Sequence, residues 1–127
     1  MAATLRIYNQ AQKKLLVSEG RAARSFWTRL RGLLGRSPLH IGQGLWIAPC
    51  NWIHTLGMGF SIDVLYLDRE GQVLHAASEM HPNRIGPLLW RASSVVELPA
   101  GAIADTGTRV GDRLEITWAP RGRRSEP

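Results

Sequence analysis

The chain has 127 residues, 44% of them apolar, and a net charge of +6. This suits a single hydrophobic core and a single domain, expected over residues 1–119. Its one cysteine, Cys50, excludes an intramolecular disulfide and points to a reducing, cytoplasmic setting. Fourteen of the sixteen basic residues are arginine, a content that fits phosphate or carboxylate partners as well as an ordinary solvated surface.

From the N-terminus, Met1 to Gln10 breaks its apolar residues with Arg6, Asn9 and Gln10, so it reads as no signal peptide. Thr4–Tyr8 alternates Leu5 and Ile7 with polar neighbours, the period of a strand, and Leu15–Ser18 is expected to return beside it as a hairpin. Ser25 offers a helix N-cap. Trp27, Leu30 and Leu34 follow at i, i+3 and i+7, while Gly35 and Pro38 supply the stop, so a helix is predicted over Ser25–Leu34.

Gly44–Ala48 reads as a short strand ended by Pro49. The uncharged stretch Ser37–Ile62 is too rich in Gly, Pro, His and Asn to cross a membrane. Ile62–Leu67 is the clearest strand, and Gln72–Ser78 is its hairpin partner across the turn Asp68–Gly71. Met80–Leu88 is predicted as a loop, Ser94–Leu98 as a strand, Pro99–Gly107 as a short helix or a turn, and Leu114–Trp118 as the last strand. Pro120–Pro127, with Arg121, Arg123 and Arg124, reads as a disordered basic tail. The expected class is α+β, mostly β: a small twisted antiparallel or mixed sheet, or a partial barrel, with one main helix packed on it.

Several short motifs lie in one order along the chain: Arg31-Gly32-Leu33-Leu34-Gly35-Arg36, Pro49-Cys50, and Ile53-His54-Thr55 with Met58. Ile62-Asp63-Val64, the hairpin Asp68–Val73, Val96-Glu97-Leu98-Pro99-Ala100-Gly101 and Val110-Gly111-Asp112 follow. In these the chain resembles the prokaryotic family catalogued as domain of unknown function 192. The resemblance implies a small, mostly β fold with one helix and brings no established catalytic activity. Relatives tend to carry bulky or basic residues near Gly57 and Gly59, where this chain has glycine, and some carry an export signal with no counterpart here.

Asp63 shares its strand face with Leu65 and Leu67, and Glu97 lies beside Val95. Carboxylates in such company need hydrogen bonds or a cation. Each therefore either accepts backbone N–H groups or pairs with Arg31, or else both face a common polar pocket with His54 and Thr55. Trp46, Trp52, Met58 and Trp90 are candidates for its aromatic and apolar walls or for plain core.

Cys50 and His54 could form a thiol and base or two metal ligands, but zinc takes three or four ligands and His75 and His81 have no recognisable spacing to them. Gly57-Met58-Gly59 lacks the third glycine of a dinucleotide fingerprint and the lysine of a phosphate loop. No metal and no cofactor are therefore expected. Three functions follow: a module binding a small molecule or peptide through His54, Thr55, Asp63 and Glu97; an enzyme using those carboxylates and His54 as acid and base; and an Arg-rich domain for nucleic acid or an acidic protein.

Overall fold

The computed structural model describes residues 3–23 and 38–120. The predicted helix Ser25–Leu34, Arg31 within it, and residues 121–127 of the tail lie outside the described residues. The described residues form seven strands: β1 (Ala3–Asn9), β2 (Lys14–Ala23), β3 (Gln43–Ile47), β4 (Ile62–Leu67), β5 (Val73–Met80), β6 (Ser94–Pro99) and β7 (Leu114–Pro120). Among the described residues a five-residue helix, α1 (Ala102–Thr106), resolves the ambiguous segment after β6. The strands form one mixed sheet in the order β5-β4-β6-β3-β2-β1-β7, in which β2 and β3 are the parallel pair.

The two edges of the sheet, β5 and β7, meet at one end only. A bridge joins Gln72 to Arg113, and the N–H of Leu114 donates to the carbonyl of Gly71 at 2.8 Å. The sheet is therefore curled and pinched without being closed into a barrel. Gly71 makes the pinch possible. Its φ is +85°, and a Cβ at this position would run into the carbonyl oxygen of Leu114. Gly71→Ala combines left-handed strain with a backbone clash, and is expected to lower stability by about 2–4 kcal/mol. A urea unfolding midpoint unchanged from the wild type would show that the edges do not need this approach.

Strand parity sorts the core into two layers. Leu5 and Ile7 of β1, Val17 of β2, Leu65 and Leu67 of β4, Val96 and Leu98 of β6 and Leu114 of β7 fill the curled inner face, with Ile103 of α1 among them. Leu45, Ile47, Val64, Tyr66 and Val95 face the other way, under Ile53, Met58 and Ala92 from the loops. β4 is buried at every position because it lies between β5 and β6 with both of its faces covered. That is why its sequence reads as an apolar run interrupted only by Asp63.

Several boundaries differ from expectation: β3 is Gln43–Ile47 rather than Gly44–Ala48, and β5 runs on to Met80, into the predicted loop. β2 runs on to Ala23, since its second half pairs with β3 from Glu19↔Gln43 to Ala23↔Ile47. Pro120, assigned to the tail, pairs with Ala3 at the end of β7. Among the described residues no helix is long and apolar enough to cross a membrane.

Candidate functional site

Of the two readings open for Asp63 and Glu97, register rules out a common pocket, and Asp63 takes the structural role of accepting backbone N–H groups. Asp63 lies opposite Leu98 and Val64 lies opposite Glu97. Side chains directly opposed across a ladder share a face, so the two carboxylates point to opposite sides of the sheet. Asp63 belongs to the inner face. It is fully buried, and it accepts the N–H of Glu79 on Oδ1 at 2.8 Å and that of Ile103 on Oδ2 at 2.7 Å. It thus ties β5 and α1 to β4, and both of its oxygens are engaged. The acid/base reading that paired Asp63 with Glu97 loses one of its two carboxylates.

Glu97 lies on the outer face between Leu45 of β3 and Val64 of β4. It is fully buried, and among the described residues neither carboxyl oxygen has a hydrogen-bond partner. Burial pushes its pKa up to about 8, which leaves the group a neutral acid at pH 7. Tyr66 is on the same face two residues beyond Val64, and its hydroxyl donates to the carbonyl of Pro87 at 2.8 Å. Parity with Ile62 and Val64 was the signal that could have placed Tyr66 beside this site.

The segment after β3 forms the roof. The N–H of Cys50 donates to the carbonyl of Ser93, and its Sγ donates to the carbonyl of Trp52 at 3.2 Å. Burial, with a smaller contribution from the charge of Glu97, raises the Cys50 pKa, so the group stays a thiol rather than a nucleophilic thiolate. His54 is buried and bridges to Ile85, and its Nδ1 accepts the N–H of Leu56 at 3.1 Å. That contact puts the proton on Nε2, and burial lowers the pKa and favours the neutral ring. The Trp52 ring leans on His54 at 5.4 Å between centroids.

Thr55 is a fastener. Its Oγ1 donates to the carbonyl of His81 at 2.6 Å and accepts the N–H of Arg84 at 2.9 Å, which joins the roof to the loop after β5. Met58 is nearly buried in the outer core, while Trp52 is half-exposed at its rim. Met58 and Ile53 pack on the outer face that carries Glu97, Trp52, His54 and Thr55 belong to the same segment, and Asp63 lies on the opposite face of the sheet. Trp46 faces the inner side, and Trp90 is 82% exposed, so neither walls this site. Among the described residues no three of His, Cys, Asp and Glu come together to hold a metal ion.

The family model DUF192, described as an uncharacterized ACR, matches residues 7–116. Two solved structures share the fold. One is a protein of unknown function from Novosphingobium aromaticivorans, with a TM-score of 0.71 and 19% identity, covering 88% of this chain and 83% of that one. The other, from Sinorhizobium meliloti, is described as a "putative transcription regulator"; its TM-score is 0.70 and its identity 19%, over 89% of this chain and 92% of that one. No curated protein matches.

Proposed function

The chain belongs to the DUF192 family, and we propose that it is a binding module of the cytoplasm whose polar anchor is the buried carboxyl of Glu97. One observation carries the reading: a fully buried carboxyl whose two oxygens have no partner among the described residues, set among Leu45, Val64 and Val95. Folded proteins leave few buried polar groups unsatisfied, and a ligand is one reason to keep such a group. In its neutral form Glu97 offers one donor and one acceptor. The matching ligand is a small apolar molecule or a peptide side chain that ends in an amide or an amine and enters beneath the roof of Trp52, His54 and Met58.

Hexanamide and hexylamine are suitable probes, followed by titration calorimetry at pH 7. The wild type is expected to bind at least one of them, and Glu97→Leu to lose that binding by tenfold or more (about 1.4 kcal/mol). Hexylamine would displace the Glu97 proton, so its measured heat should change with the ionisation enthalpy of the buffer. Equal binding by the wild type and Glu97→Leu, or none by the wild type, removes the reading.

The description of the Sinorhizobium meliloti neighbour and the arginine content suit the competing nucleic-acid role. That role predicts binding that falls steeply with salt, and no placed group supports it as Glu97 supports the first.

A further inference from the structure

The inner face opens, at the end where Gly71 meets Leu114, into a cleft of about 360 Å³. Trp46 of β3, Leu67 and Ser94 at the paired ends of β4 and β6, Ile116 of β7, and Asp68 and Arg69 of the hairpin turn line it. Two of its polar groups lack partners. The Trp46 indole Nε1 is buried with no hydrogen-bond partner, and the Ser94 hydroxyl, in a residue 4% exposed, makes no hydrogen bond among the described residues. Asp68, in contrast, engages Oδ1 with the N–H groups of Glu70 and Gln72 in its own turn.

An indole N–H can only donate, a guanidinium can only donate, and a serine hydroxyl donates readily. A ligand for this cleft must therefore bring acceptors. Arg69 offers its guanidinium to an anionic acceptor, the neighbouring Asp68 carboxylate being held by two backbone N–H groups of its own turn, while Leu67 and Ile116 ask for an apolar body. A guanidinium fork can hold a carboxylate by two parallel hydrogen bonds. We propose that the cleft binds a small monocarboxylic acid with an apolar body. Clefts of this size, with apolar walls and a few convergent polar groups at the mouth of a curled sheet, are the usual form of a small-molecule site. The site lies on the face opposite Glu97 and stands independently of the reading above.

Phenylacetate is the probe, and phenethylamine, with the same ring and the opposite charge, is the control; both are followed by titration calorimetry with the full chain. Phenylacetate is expected to bind in the millimolar range or tighter and phenethylamine not to bind. Ser94→Ala and Trp46→Phe should each weaken phenylacetate about tenfold, the effect of one lost hydrogen bond to a charged group. Ser94→Ala should leave the melting temperature close to that of the wild type, whereas Trp46→Phe gives up ring packing against the inner core and should lower it. Arg69→Met, on an exposed turn, should weaken binding about threefold and remove its salt dependence, and it keeps the test available if Trp46→Phe fails to fold. Glu97→Gln should bind phenylacetate as the wild type does. The proposal is overturned if phenylacetate fails to bind at about 10 mM, which would leave these donors to water. It is overturned equally if phenethylamine binds as well as phenylacetate, or if Ser94→Ala and Arg69→Met both bind like the wild type.

Discussion

Asp63→Ala is expected to lower stability by about 2–4 kcal/mol, because it strips one buried and one partly buried N–H donor of a charged acceptor at once. The donors belong to Glu79 at the end of β5 and to Ile103 in α1, and the carboxylate between them is fully buried. The Ile103 donor is buried and is not re-satisfied without backbone movement, whereas the Glu79 N–H lies in an exposed residue that water can reach. Asp63→Asn keeps the shape but has a single acceptor oxygen, and its amide nitrogen would face one of the two N–H donors. It should therefore lose at least about 2 kcal/mol. Asp105→Ala, on the exposed side of α1, should stay within about half a kcal/mol and serves as the control. Guanidinium unfolding at pH 7 measures all three, and a loss below about 1 kcal/mol for Asp63→Ala would mean that the two hydrogen bonds do not hold β5 and α1 in place.

Stability of the wild type should fall as pH rises from about 4.5 toward 8, and Glu97→Gln should remove most of that fall. The pKa of Glu97 is raised from an ordinary 4.5 to about 8 in the folded chain by burial. Between those values the unfolded chain gives up a proton that the folded chain keeps, so folding is progressively disfavoured as pH increases, and the full loss is reached above about 8. The window of about three and a half pH units corresponds to about 4–5 kcal/mol, each unit being worth about 1.4. His54 acts in the opposite sense and lower, since its depressed pKa makes stability rise with pH near its ordinary 6.5. The Cys50 shift acts above 9.0, outside the window. The difference between wild type and Glu97→Gln, followed from pH 5 to pH 9 by chemical unfolding, isolates the Glu97 contribution. Parallel curves would mean that the carboxyl is hydrated or paired in solution.

Much of the sheet was legible because local pattern and tertiary environment agree. The alternation of Leu5 and Ile7, the run Ile62–Leu67 and the turn Asp68–Gly71 each have the period or residue type their element needs, and each appears where expected. The second half of β2 was not legible. Glu19, Gly20 and Arg21 have poor strand propensity and are held by pairing with β3, some 24 residues along the chain. Parity alone placed Asp63 with Leu65 and Leu67, and Glu97 with Val95. Whether those faces coincide depends on register between β4 and β6, and a slip of one residue would have put both carboxylates on one side. No local signal carries that information. The cleft was hidden for the same reason: Trp46, Ser94 and Arg69 are brought together by pairing and curl rather than by spacing.

The pairing of β1 with β7 has a consequence for how the chain folds. Residues 3–9 lie against residues 114–120 in continuous antiparallel register, from Ala3↔Pro120 to Asn9↔Leu114. During synthesis the first strand emerges long before its neighbour exists, and until then it has β2 on one side and water on the other. Closing a loop of this length carries a large entropy penalty that is recovered only when β7 docks. Such non-local topologies fold more slowly than helical domains of equal size, and they leave an apolar strand edge open in the meantime. Arg6 and Tyr8, exposed on β1, flank the buried Ile7 during that interval. The charge on Arg6 makes the unfinished edge a poorer template for another nascent chain.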